Sequence, residues 1–410
     1  MVQYIAMRLP AFIEKRLIDY AKTRGLLVMP ASSYIPRNGG MTAAGQMVDH
    51  DTALTFTGAF AAISIKAENL ASLPKAVYER TSTGKKELTR HPVYSLIHHR
   101  PNSYMTDFVF WEYMESCVAG WGNAYAVIEW AGNGFPKALH PVHPGSVMVM
   151  TRGYDVVYKV TEGKTAGTYL ADDILHVKLF SKDGIVGIDP VTYHAQSIGI
   201  GLAGQQFAAE YFNKKGALRG VIETDGELSD ASYLRVAKRI AEAGDHGTPI
   251  LEHGLKYKTI GISPDAAQAI QTRLFSIQDA SRIWKVPVSL LAEHTHSTFT
   301  NTEQQDIQFV KYGLRPECKR FETEIERKLF PEGEAERIDV KFDLKGLLRG
   351  DLAAQSDWYH KAVLDGWMSR NEVRELENLN PVDGLDEYLV PSNMTLPELL
   401  GNLNTPKNGK

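Results

Sequence analysis

The chain has 410 residues, 43% of them hydrophobic and 23% charged, with a net charge of −4. That is apolar material for two or three packed domains of about 100–200 residues each, and the near-balanced charge excludes a protein that coats nucleic acid or membrane with its whole surface, so any such contact is local. Cys117 and Cys318 are the only cysteines and each falls inside an apolar, helix-like segment, which fits core thiols in a reducing compartment and no disulfide framework.

MVQYIAMRLPAFIEKRLIDY, at the start, carries charges throughout and lacks a signal-peptide pattern. No apolar run reaches about 18 residues, so the expectation is a soluble, cytosol-made protein without a membrane span. The Gly- and Pro-punctuated patch PASSYIPRNGG suggests an exposed arm over residues 1–52 before a first helix at about Thr57–Ser72. From Pro74 to Phe180 short strands and helices alternate: KAVYER, a helix opening at Thr106 before DFVFWEYMESCVAG, then NAYAVIEW and FPKALHPV joined across Gly132-Asn133-Gly134. This is an α+β domain, residues 53–188.

Asp189-Pro190 then gives an N-cap followed by proline at the first helical position. The helix it opens runs to about Phe212, roughly 34 Å at 1.5 Å per residue. A second helix of nearly equal length starts at Ser263-Pro264 and carries apolar residues at Ala267, Ile270, Leu274, Ile277 and Trp284 before Pro287 stops it. Between the two lies a compact insert: strand LRGVIET, a helix after Ser229, then PILEHG and LKYKTIGI paired through Gly254. A third helix opens with a capping box at Thr300-Asn-Thr-Glu303 and keeps a spacing of three and four from Ile307 to Leu329. Pro316 removes one donor and opposes the Tyr312 carbonyl, so a kink near Gly313 is expected. A strand (IDVKFDL), a helix from about Asp351 to Leu364 and a helix capped by Ser369-Arg-Asn-Glu372 follow; the tail from Thr395 has the composition of a disordered segment.

Several patterns point to chemistry. Gly199-Ile-Gly201-Leu-Ala-Gly204 matches a dinucleotide fingerprint, with Glu223 at the distance of a ribose-binding acid. That fingerprint needs a strand turning into a helix at the glycines, whereas here the pattern runs on as helix; three glycines in one helix fit close packing against a partner. Gly163-Lys164-Thr165 and Gly84-Lys85 lack the first glycine of a phosphate loop. In LAEHTHSTFTN, His294 and His296 with Glu293 or Glu303 offer metal ligands, but no second ligand pair accompanies them. This stretch joins the end of one long helix to the start of another, is rich in small hydroxyls and has too little apolar content for its own core, so it projects as a loop.

Taken together, NLASLPKAVYER, HPVYSLIHHRPNSYMT, GNAYAVIEW, DDILHVK with DGIVGIDP, EYFNKKGALRGVI, WKVP, NTEQQ, LRPE, LLRGD and MSRNEVRELENLNPVDG stand in an order and spacing that resemble the portal proteins of tailed bacteriophages, the short type found with Hong Kong 97-like capsids. The resemblance covers about Phe56 to Tyr388 and implies a multidomain, ring-forming α+β portal fold. Its parts are an N-terminal arm (1–52), an α+β wing (53–188), a two-helix stem (189–216 and 263–287), a small α/β clip (217–262), a tunnel loop (288–301), a long kinked helix (302–331), a helical crown (332–394) and a tail (395–410).

The resemblance implies no catalysis, cofactor or metal, but a homo-oligomeric, usually dodecameric ring at one capsid vertex, assembled in the host bacterial cytoplasm. Implied partners are double-stranded DNA bound without sequence preference, the terminase large subunit, the head–tail adaptor and the major capsid protein. Glu293, His294, Thr295, His296, Ser297, Thr298 and Phe299 are the expected DNA-facing loop; Lys214, Lys215, Arg219, Arg235, Lys238 and Arg239 the expected docking surface of the clip; Gly199, Gly201, Gly204, Leu274 and Ile277 the expected stem packing between subunits. The rival readings are a metal-dependent hydrolase on His294 and His296, a dinucleotide-binding enzyme on Gly199–Gly204, and a domesticated prophage particle that packages host DNA.

Overall fold

A computed structural model of the chain describes residues 26–29, 40–82, 84–152, 155–213, 220–223, 229–243, 256–259, 266–291, 299–344, 347, 352–377 and 379–389. They fall in two compact units, residues 1–343 and 344–410. In chain order the first unit begins with β1 (Leu26–Met29), α1 (His50–Thr55), α2 (Thr57–Ser72), β2 (Lys75–Thr81), β3 (Gly84–Glu87), α3 (Pro92–His98), α4 (Asp107–Trp121), β4 (Asn123–Trp130), β5 (Pro136–Val142), β6 (Val147–Arg152), β7 (Asp155–Val160), β8 (Gly167–Leu170) and β9 (Ile174–Lys178). There follow α5 (Pro190–Tyr193), α6 (Ala195–Asn213), β10 (Gly220–Glu223), α7 (Asp230–Ala243), β11 (Lys256–Thr259), α8 (Ala266–Trp284), α9 (Phe299–Gln308), a π-helical segment (Phe309–Leu314), α10 (Arg315–Leu329), α11 (Glu332–Ala335) and β12 (Ile338–Phe342). The second unit holds α12 (Leu352–Leu364) and α13 (Arg370–Leu376).

Among the described residues the strands form four antiparallel sheets, in the orders β12-β2-β3, β5-β4-β9, β1-β6-β7-β8 and β10-β11. The predicted hairpin across Gly132–Gly134 forms, with Gly134 at φ +82°. Pairing of β12 with β2 (Val340 opposite Val77) brings the end of the first unit back to its beginning. One core surrounds Trp111, whose ring meets Phe110, Phe321 and Phe342 edge-on at 5.0–5.7 Å. Its indole N–H, fully buried, donates to the Ile97 carbonyl at 2.9 Å, as a buried tryptophan requires. A second core lies between two sheets and contains Tyr125, Val147, Val149, Tyr158 and Ile174.

Several expectations are corrected. The N-terminal arm is not simply exposed: β1 adds an edge strand to β6, Thr42 and Val48 are buried, and Asp49 caps α1 in a reciprocal box with Thr52. LLVM is too short for its period to show, and a threonine in the third position hides the box from a search for Glu or Gln. The first long helix breaks at His194, where the backbone leaves helical geometry for one residue (φ −105°, ψ 22°). The described partner of β11 is β10, Gly220 facing Thr259; PILEHG lies outside the described residues. α9 already includes Phe299, so Thr300 is not its cap. The expected tail, 395–410, also lies outside the described residues.

In the second unit both halves of the capping box at Ser369 and Glu372 are present. Asn371 is its hub, donating to the Val382 carbonyl and Asp386 and accepting from the Val382 amide at 2.8–2.9 Å.

Candidate functional site

The sequence expectation places function on the helices α6 and α8, the hairpin and helix between them, and α9, which follows residues 292–298. Asp189 holds the start. It accepts from the Thr192 amide at 3.1 Å and from the Thr192 hydroxyl, and its carboxylate lies 2.9 Å from His50 Nε2. His50 stacks on Trp121 (4.5 Å, 12°), and His143 meets that ring edge-on at 4.9 Å. Burial first, and the neighbouring His50 next, hold the His143 pKa below its ordinary value.

The segment leading into Asp189 is fixed by backbone contact. Gly122 closes α4 at φ +71°, and a Cβ there would lie 2.0 Å from the Ile188 carbonyl oxygen, so no other residue fits this turn. Beside it, Asn123 Oδ1 accepts from the Gly187 amide at 2.7 Å while its Nδ2 donates to the Gly187 and Trp121 carbonyls. The same Oδ1 lies 3.0 Å from His176 Nε2, and Tyr158 Oη lies 3.0 Å from His176 Nδ1. An amide oxygen only accepts, so Nε2 is the donor; His176 is neutral with its proton on Nε2, and its Nδ1 accepts a hydrogen bond from the Tyr158 hydroxyl. Burial drives its pKa well below the usual imidazole value.

The glycines of α6 are only partly available for contact between subunits. A Cβ at Gly199 would meet the Thr42 side chain at 2.5 Å and one at Gly201 would meet Phe56 at 2.9 Å, both within the chain, whereas among the described residues a Cβ at Gly204 would meet nothing beyond its own helix within 4 Å. This narrows the sequence expectation: two of the three glycines let the N-terminal segment approach α6. On α8, Ile277 is half-buried, and Trp284 locks the helix end by donating to the Ala119 carbonyl at 2.9 Å. Lys285 takes a left-handed conformation (φ +57°), after which the chain turns into a 3-10 segment, Val288–Leu291. Ile200 (48%) and Phe207 (55%) on α6 and Phe275 (61%) on α8 remain exposed.

Of the expected loop, Glu293, His294, Thr295, His296, Ser297 and Thr298 lie outside the described residues, and Phe299 is the first residue of α9. Of the expected clip residues, Lys214, Lys215 and Arg219 lie outside them; Arg235, Lys238 and Arg239 belong to α7, where Arg235, Lys238, Tyr233 and Leu234 are exposed.

Pro316 acts as the sequence predicted, with a different outcome. The chain widens into a π-helical turn, and the Arg315 amide donates to the Val310 carbonyl five residues back. A missing proline donor is thus absorbed by a wider turn. A Cβ at Gly313 would lie 2.8 Å from the Phe309 ring and 3.0 Å from the Lys285 carbonyl oxygen, so the widened turn sits directly against the end of α8.

From there α10 is pinned by charges the sequence reading missed. Lys66 of α2 pairs with Glu317 and lies 3.9 Å from Glu115 of α4; all three are buried. Burial, then the Glu317 charge, pushes the Glu115 carboxyl well above the carboxylate range, so it is neutral beside a single ion pair. Glu322 accepts from the Phe342 amide and Lys341 at 3.0 Å, Glu326 from the Val340 amide at 2.9 Å, and Arg320 donates to the Lys178 carbonyl at 3.0 Å. The available signal was a lone lysine or glutamate inside an apolar helical run, as in AAISIKAENL and WEYMESCVAG. Among the described residues no three His, Cys, Asp or Glu side chains are grouped to hold a metal ion, and no helix is long and apolar enough to cross a membrane.

The family model for the phage portal protein matches residues 57–378. The chain is 28% identical over 400 residues, 94% of this chain and 93% of the relative, to the portal protein of Enterobacteria phage HK97. It is 30% identical over 377 residues, 87% and 82% of the two chains, to the probable portal protein of Streptomyces phage phiC31. Its fold is similar to that of a chain in the neck of a native gene transfer agent particle computed with C12 symmetry, with a TM-score of 0.57 and 21% identity over 90% of this chain and 100% of the other. An α+β subunit with two long packed helices, an insert between them and a later helix widened by a π turn thus shares its fold with a chain of that neck particle. The chain belongs to the phage portal protein family, whose members form the DNA channel at one capsid vertex.

Proposed function

We propose that twelve copies of this chain close into a ring whose loops 292–298 meet double-stranded DNA as the terminase motor drives it in and as it later leaves. The protein acts as a conduit and hydrolyses nothing. Exposed apolar residues on the stem helices carry the reading: Ile200, Phe207 and Phe275 are about half exposed or more on α6 and α8, a burden for a free subunit and a natural contact in a ring. Twelve copies fit the symmetry given for the structurally similar neck particle.

In this reading α7 and its flanks, with Lys214, Lys215, Arg219, Arg235, Lys238 and Arg239, dock the terminase large subunit and then the head–tail adaptor, and the major capsid protein is a further partner. Short polar side chains at the loop suit a conduit, because each additional lysine–phosphate pair adds salt-dependent affinity and resists sliding. Native mass spectrometry of the purified chain, with negative-stain images, tests the reading: a closed ring with a central channel is expected, and a compact monomer or dimer across a range of salt concentrations overturns it.

A further inference from the structure

Two surfaces of the first unit carry charges with no ion-pair partner among the described residues, and they complement one another. The first is an open cleft of about 440 Å³ between α2 and α4, lined by Glu68, Asn69, Ser72, Phe108 and Glu112. Phe108 is 40% exposed, so an aromatic ring stands beside two carboxylates. Among the described residues neither Glu68 nor Glu112 makes an ion pair or hydrogen bond. The second is a ridge where the π-helical turn runs into α10: Lys311 lies over the Tyr312 ring at 5.2 Å, Tyr312 is 59% exposed, and Arg315 is exposed beside them. Neither cation has an ion-pair partner among the described residues.

Placement adds to the charge argument. Two residues along an α-helix turn the side chain by about 200°. Lys66 points from α2 to Glu317 on α10, so Glu68 points away from α10. By the same step Arg315 points away from α2. Glu68 and Arg315 therefore point to opposite sides of the Lys66–Glu317 pair. A closed ring needs that arrangement, since each subunit offers one patch to the copy ahead and a different patch to the copy behind. A two-fold contact through either patch would instead set like charges against each other, which disfavours it.

We propose that the Lys311–Tyr312–Arg315 ridge of one subunit seats in the Glu68–Phe108–Glu112 cleft of the next copy of this chain, the two cations between the two carboxylates and against the Phe108 ring. This contact rests on the ring reading above. It fits the cleft, whose volume is that of a small-ligand pocket and has room for more than one long side chain, and it uses the preference of arginine for aromatic faces and paired carboxylates.

Charge exchange in the full chain tests it. Glu68→Lys with Glu112→Lys, and separately Lys311→Glu with Arg315→Glu, are each expected to raise the protein concentration for half-assembly at least about tenfold. The quadruple variant, and a 1:1 mixture of the two double variants, are expected to restore a ring, because opposite charges again face each other. Restoration also demonstrates folding. Rings that survive both double variants, or loss without restoration in the quadruple variant, overturn the contact. So does a ridge variant that keeps its ring but binds duplex DNA more weakly, which would make the ridge a phosphate surface. Wild-type protein that forms no ring fails the ring reading itself, an outcome separate from any behaviour of the variants.

Discussion

Lys66, Glu115 and Glu317 join three helices in a place where charge is expensive. A buried ion pair contributes little relative to a packed apolar alternative, but removing one member leaves the other charged in an apolar site. Lys66→Met is therefore expected to destabilise the subunit by about 3–5 kcal/mol in urea unfolding, whereas Glu115→Gln, which replaces a neutral acid by a neutral amide, is expected to cost about 1 kcal/mol or less. The pH dependence separates these residues further. Glu115 is held neutral in the fold, so its contribution is full below the unfolded value of 4.5 and is lost as pH rises toward the raised folded value. His176 works in the opposite sense: its folded pKa lies well below 6.5, so its contribution is full above 6.5 and is lost as pH falls. Between 4.5 and 6.5 the two slopes oppose each other. Removing the first with Glu115→Gln is expected to steepen the loss of stability on acidification, by at most about 1.4 kcal/mol per pH unit for one proton. Urea midpoints at several pH values in that window check this, and an unchanged slope would mean that Glu115 is ionised in the fold.

At the scale of elements, the π-helical turn is where proline chemistry and packing meet. Pro316 denies a donor to the preceding turn, and Gly313 lets the widened backbone lie on the end of α8 at Lys285. Gly313→Ala forces a methyl group against the Phe309 ring and a backbone carbonyl, and is expected to cost about 1–3 kcal/mol, read from the shift in urea midpoint. Much was legible here: the period of α10, the disturbance at Pro316 and the helix start at Asp189 all follow from spacing and caps. The form of the disturbance was not, because a kink and a π turn both answer the same missing donor and only contact with α8 selects one. The break at His194, the strand LLVM and the Thr52 half of the Asp49 box were likewise illegible, since one non-helical residue, four apolar residues and a substituted cap leave no periodic mark. The buried charges on α10 have tertiary causes: Glu322 and Glu326 serve amides of β12, a strand no local pattern ties to that helix.

For the whole molecule, the loop reading rested on what lies at its two ends, and those ends are now defined. α8 is locked at Trp284 and turns left-handed at Lys285, while the turn that follows α9 packs on the same Lys285 carbonyl. The described chain on either side of residues 292–298 is therefore tied together at Lys285, through contacts that involve none of those seven residues. Deletion of residues 294–298 is accordingly expected to leave subunit stability and ring mass unchanged, by urea unfolding and native mass spectrometry. It is expected to lower the amount of DNA packaged or retained, measured as nuclease-protected DNA per particle. A deletion with normal rings and normal DNA content would remove the loop from the DNA path, and a deletion that abolishes the rings would instead make the loop part of the contact between subunits. Replacing His294 and His296 by glutamine separates charge from length: if polarity alone matters, protected DNA stays at the wild-type level across pH 6–8, where an ordinary histidine changes charge.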